Sequence, residues 1–200
     1  MELIVIAKPG IFKEESHLVN QLFEAGLQVF HLRKENAGEA SYRKIIEGIL
    51  PEYHPQIALH HFHSLANDYN INRIHHTESF RKSNSDQVLD GNKIFSTSIH
   101  QLSAIDDIRQ YDYCFFGPVF NSLSKPGYSG VIPSGFRLEK KIGQSKVIAL
   151  GGIGLSQIDA VKEMNFDGVA LLGAVWNDAS QALNTFKRAQ AQCRLYTQNF

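Results

Sequence analysis

Cysteine is almost absent. Cys114 and Cys193 are the only two, and their separation matches neither a metal-binding pair nor a redox pair. A disulfide framework is excluded, and a reducing cytoplasm is the expected setting. Neither sign of charge is in excess, with 20 basic residues against 20 acidic ones. Nucleic-acid-binding domains usually carry a basic surplus, so no nucleic-acid partner is expected. No apolar run approaches the roughly 20 residues that a membrane span needs, so no membrane partner is expected. The opening MELIVIAKPG lacks a basic segment and a small-residue cleavage site; it reads as a first strand rather than a leader. Linkers and low-complexity stretches are missing too, which leaves one domain over 1–200.

What is present is a repeated alternation. Eight short runs are rich in β-branched and aromatic residues: LIVIA (3–7), QVFHLR (28–33), QIALHHF (56–62), RIHH (73–76), KIFSTS (93–98), YCFFGPVF (113–120), KVIALGG (146–152) and GVALLGA (168–174). Several are apolar almost throughout, as parallel strands buried on both faces are. Helical segments stand between them. KEESHLVNQLFEAG stops at Gly26, EASYRKIIEGIL carries four aliphatic residues, and SIHQLSAIDDIRQY carries Leu102, Ile105 and Ile108. Ser156 is a candidate N-cap for the next helix, and Asp178 or Ser180 for the last. Residues 64–72 are short and polar, and 77–92 show no clear pattern. Strand and helix alternating eight times predict an α/β fold of the (β/α)8 TIM-barrel type, with an open doubly wound sheet as the alternative.

In such a barrel the strand ends converge on one mouth, where the chemistry sits. The ends here are polar. They supply His31, Arg33, Lys34 and Glu35; His60, His61 and His63; His75 and His76; Ser96, Ser98 and His100; and Ser122, Ser124 and Lys125. A cup of imidazoles, hydroxyls, an arginine and a lysine suits an anionic small molecule. Gly151 and Gly152 follow the seventh strand, and Leu172 and Gly173 end the eighth, where this fold usually binds phosphate. His61 and His63 share one face if the third strand runs through them, a spacing that metal-dependent hydrolases use. No carboxylates accompany them, so no metal is expected. His100 follows a hydroxyl-rich strand end, and a histidine there can move protons near neutral pH.

FHLRKE (30–35), STSIHQLSAI (96–105), YCFFGPVFNSLSKPG (113–127), VIALGGI (147–153) and FDGVALLGAV (166–175) resemble the thiamine phosphate synthase family, in its order and spacing. That family includes the closely similar thiazole tautomerases. The resemblance implies a barrel and a thiazole phosphate substrate. It places Arg33, Ser98, Ser122, Ser124 and Lys125 against the substrates and the departing pyrophosphate, and Gly151, Gly152, Leu172 and Gly173 at the phosphate. The synthases hold Mg²⁺ with acids after the third and fourth strands; here His60 and His61 replace the first of these, and the second falls near Phe80. His31 stands where the synthases have glutamine. Ser98-Ile99-His100 has the tautomerase pattern, in which the histidine is the acid–base group. The expected activity is therefore metal-free thiazole tautomerisation through His100, with His31, Arg33, His60 and His61 binding substrate. The alternatives are a thiamine phosphate synthase using Mg²⁺ and a phosphate-ligand binder without turnover. A homo-oligomer is compatible with the sequence.

Overall fold

All eight apolar runs become strands. The computed structural model describes residues 1–120, 135–139 and 145–195. Its strands are β1 (Glu2–Ile6), β2 (Phe30–Leu32), β3 (Ile57–Leu59), β4 (Arg73–His76), β5 (Ile94–Ile99), β6 (Tyr113–Phe116), β7 (Lys146–Leu150) and β8 (Gly168–Leu171). They pair in parallel and in chain order, and β8 returns to β1 through Leu3↔Val169 and Val5↔Leu171. That last pairing closes the barrel and rules out the open sheet.

The period of two along each strand sorts the side chains. Phe30, Leu32, Leu59, Ile74, Phe95, Cys114, Phe116, Val147, Val169 and Leu171 join the large core. Helix residues Val19, Leu22, Ile46, Val161 and Phe186 complete that core, so it lies between the sheet and its helices. A second, smaller core of Ile4, Ile6, Tyr113, Phe115, Ile148 and Ala170 fills part of the lumen.

The helices are α1 (Glu15–Glu24), α2 (Glu39–Glu47), α3 (Leu65–Asp68), α4 (Glu78–Ser83), α5 (Ile158–Glu163), α6 (Gly173–Trp176) and α7 (Ala182–Leu195). Gly26, at φ 97, ends the first as expected. The patternless stretch after β4 holds α4, whose N-cap is Thr77; its Oγ1 accepts the Phe80 N–H at 3.2 Å. The segment after β5 is not an α-helix but a 3₁₀ stretch, Leu102–Ile108. Its aliphatic residues recur every third position, which suits three residues per turn rather than 3.6. Ser156 is not an N-cap either. It lies inside a 3₁₀ turn, Leu155–Gln157, where the Gln157 Oε1 accepts the Gly154 N–H at 3.0 Å. Asp178 caps not α7 itself but the 3₁₀ turn Ala179–Gln181 that leads into it, accepting the Ser180 N–H at 3.0 Å. No helix among the described residues is long and apolar enough to cross a membrane.

Candidate active site at the barrel mouth

A barrel lumen is ordinarily packed with branched apolar side chains. Here one side of it is polar. His31 Nε2 lies 2.7 Å from the Tyr113 hydroxyl. Strands β2 and β6 are not neighbours, so this hydrogen bond crosses the lumen. His31 Nδ1 lies 2.9 Å from His60 Nε2. The His60 ring stacks on His75 at 3.9 Å between centroids. His75 is held from both sides, by Ser96 Oγ at 2.8 Å and Ser98 Oγ at 3.1 Å. Burial pushes the His31 imidazole down to about 3. Burial also lowers His60 and His75 well below the usual histidine range, with neighbouring imidazoles adding to it. All three are neutral at physiological pH. The phenol of Tyr113 is pushed the other way, up to about 12, by the same burial.

Above this trio lies a cavity of about 240 Å³, lined by His60, His75, His61, His63, Thr77 and Phe80. The chain turns sharply here, with Phe62 in the left-handed region at φ 53. That conformation is costly for a bulky residue. The expectation that His61 and His63 share a strand face is corrected: β3 stops at Leu59, His61 is exposed, and His63 packs against His76 and Phe80. His63 Nε2 is buried without a hydrogen-bond partner. A larger cleft of about 510 Å³ involves Lys93 and Asp112, just before β5 and β6. It lies at the opposite end of the barrel, away from the strand ends where barrel chemistry sits.

His100 follows β5 at the mouth. Its Nδ1–H donates to the Gly117 carbonyl at 2.8 Å. In the neutral ring this leaves the lone pair on Nε2. Nε2 is 3.6 Å from Glu78 Oε2, and the side chain is 64% exposed, so solutes reach it. The Lys82 ammonium, bonded to Glu78 at 2.8 Å, is the first cause that holds this carboxyl below its usual value. Arg33 is exposed at the end of β2, 3.5 Å from Glu35. Lys34 does not join the cup. Its ammonium is buried in an ion pair with Glu15 and donates to the carbonyls of Lys8 at 2.7 Å and Gly10 at 3.1 Å. Ser122, Ser124 and Lys125 lie outside the described residues. His31 is at the floor, fully buried, and reaches the cavity only through His60.

The two glycines after β7 are both left-handed, Gly151 at φ 96 and Gly152 at φ 67. Leu172 and Gly173, at the adjacent end of β8, are half-buried. A Cβ on Gly151 would lie 2.8 Å from the Pro118 Cα, so packing alone demands a glycine there. Gly151→Ala is expected to destabilise the fold by about 2 kcal/mol through strain and overpacking. Urea unfolding measures this; a change below about 0.5 kcal/mol would assign the glycine to ligand approach alone.

Sequence reasoning placed His31, His60, His75, Ser96, Ser98 and His100 at strand ends, but it missed Tyr113. The period-2 pairing of Tyr113 with Phe115 was the available signal. The approach of Glu78 to His100 depends on where α4 folds, which no motif marks.

A protein-family model described as thiamine monophosphate synthase matches residues 3–175. A thiamine-phosphate synthase of Staphylococcus carnosus is 22% identical over 174 residues, 79% of each chain. One from Chloroflexus aurantiacus is 33% identical over 88 residues, 42% of this chain and 41% of that one. The crystal structure of a thiamine phosphate pyrophosphorylase from Bacteroides thetaiotaomicron superposes with a TM-score of 0.79 at 25% identity, covering 98% of both chains.

Proposed function

The chain belongs to the thiamine monophosphate synthase family, and from that premise we propose that it acts in thiamine biosynthesis on a thiazole phosphate at the barrel mouth. The names of its relatives favour condensation over tautomerisation, the reverse of the order expected from the sequence. The observation that carries this reading is the extent of the likeness, 98% of each chain in the pyrophosphorylase superposition. In the condensation the thiazole nitrogen attacks the methylene carbon of the pyrimidine partner. A C–N bond forms, the C–O bond breaks, and pyrophosphate leaves with the electron pair. Arg33 at the end of β2 is a cation that would receive that charge, and the family resemblance gives the same role to Lys125, which lies outside the described residues. The backbone at Gly151, Gly152 and Gly173 would take the thiazole phosphate.

The family resemblance implies Mg²⁺ for that reaction. Mg²⁺ takes oxygen ligands in an octahedron. Among the described residues, the ends of β3 and β4 offer the imidazoles of His60, His61, His75 and His76. Two carboxylates that follow these strands are engaged, Glu78 with Lys82 at 2.8 Å and Asp68 with Arg43 at 2.9 Å. This donor set does not fit Mg²⁺.

One observation favours the second reading, tautomerisation. His100 has its tautomer set by Gly117 and a carboxylate 3.6 Å from its free nitrogen. Nε2 can take a proton from one ring position of a thiazole carboxylate phosphate and return it to another. Glu78 offsets the transient positive charge. The assay supplies the pyrimidine pyrophosphate and thiazole phosphate together, and the thiazole carboxylate phosphate alone. Pyrophosphate release and thiamine phosphate formation are the expected result. Isomerisation of the lone carboxylate, reduced about 100-fold or more in His100→Ala, would instead establish tautomerisation. Turnover in neither assay would overturn both readings and leave a phosphate-ligand binder.

A further inference from the structure

We propose that His31, His60 and His75 form a binding site for a first-row transition-metal dication, with an open coordination position facing the cavity of the mouth. One ligand nitrogen from each of the three lies within 4.8 Å of the other two, and all three residues are buried. Tetrahedral coordination at 2.0–2.1 Å separates ligand nitrogens by about 3.4 Å. The His31–His60 contact of 2.9 Å therefore has to open by about half an ångström, within reach of small ring rotations.

The surroundings are those of a ligand set. Metal-bound histidines usually give their second ring nitrogen to a fixed partner, which sets tautomer and orientation. His31 can ligate through Nδ1 and keep Tyr113 on Nε2. Both nitrogens of His75 touch a serine, so one serine stays whichever nitrogen binds. Three neutral imidazoles present lone pairs without first losing a proton. His60 and His75 also line the cavity, so a water or a substrate oxygen can enter as fourth ligand.

The sequence argued against a metal because no carboxylates accompany the histidines. Three imidazoles and one exchangeable ligand are nevertheless a sufficient zinc set. Imidazole selects Zn²⁺, Co²⁺, Ni²⁺ or Cu²⁺ over Mg²⁺. The three protein ligands are neutral, so the fourth is expected to be anionic: hydroxide, or a carboxylate or phosphate oxygen from the mouth. The site stands whichever reaction the mouth performs.

The test is titration of tag-free, chelator-treated protein with Co²⁺, followed by visible absorption and by calorimetry. One Co²⁺ per chain is expected, with the absorption of a tetrahedral site and displacement by Zn²⁺. His60→Ala should weaken binding at least 100-fold, while His17→Ala, an exposed histidine on α1, leaves it unchanged. If His60→Ala does not fold, X-ray absorption of the cobalt-loaded unaltered protein decides, with about three imidazole ligands expected. No saturable binding below millimolar Co²⁺, or a site retained in folded His60→Ala, would overturn the proposal and leave the trio as a buried hydrogen-bonded network.

Discussion

Acidification from pH 7.5 to 5 is expected to remove at least about 2 kcal/mol of folding stability. The cause is the imidazole floor of the barrel. In the folded chain His31, His60 and His75 are neutral, held far below the usual histidine value chiefly by burial. In the unfolded chain they take up protons near pH 6.5. The unfolded state therefore binds more protons as the pH falls. Stability is complete above about pH 7 and declines through 6.5, and for His31 the decline continues to its folded value of about 3. His31 alone costs about 2 kcal/mol at pH 5, and His60 and His75 add to the loss in the same direction. Domains of this size have only about 5–15 kcal/mol in total, so the loss is a sizeable share of the stability. Urea unfolding at a series of pH values, with chelator present, measures it. A free energy constant within about 1 kcal/mol between pH 7.5 and 5 would show that these rings are not desolvated in solution.

Lys34→Met is expected to cost about 3–5 kcal/mol, the largest effect of any single charge substitution proposed for this chain. The Lys34 and Glu15 side chains are 0% and 2% exposed. Burial drives the Lys34 ammonium down and the Glu15 carboxyl up, and their mutual attraction opposes both shifts. Removing the cation leaves a carboxylate in an apolar setting, with one of its oxygens already lacking a hydrogen bond. The carbonyls of Lys8 and Gly10 lose their donor as well. The double variant Lys34→Met, Glu15→Leu removes both charges. It should recover more than half of the loss, because only the carbonyl penalties of about 1 kcal/mol each persist. A single-variant loss below about 1 kcal/mol would mean that the pair is solvated. Lys34 thus anchors the β1–α1 loop to the end of β2, one position from the exposed Arg33.

The two residues show the limit of reading a strand end from sequence. Arg33 and Lys34 are adjacent cations at the same strand end, and both count as cup residues when only position is known. Successive side chains beyond a strand point to opposite sides, so one meets solvent and the other the core. Glu15, which decides the fate of Lys34, lies 19 positions away. The 3₁₀ segment after β5 was closer to legible, since Leu102, Ile105 and Ile108 carry a period of three.

The sequence by itself determined the eight strands, their alternation with helical segments, the polar character of the strand ends and the likeness to one family. These follow from local hydrophobic period, and from motifs short enough to be read along the chain. The tertiary structure decided which polar residues meet. Closure of the barrel through β1 and β8 brings His31 across the lumen to Tyr113, stacks His60 on His75, sets Glu78 beside His100 and buries Lys34 away from the cup. Each of these contacts joins elements separated in sequence. Their distances depend on strand register and sheet curvature, which no local pattern encodes.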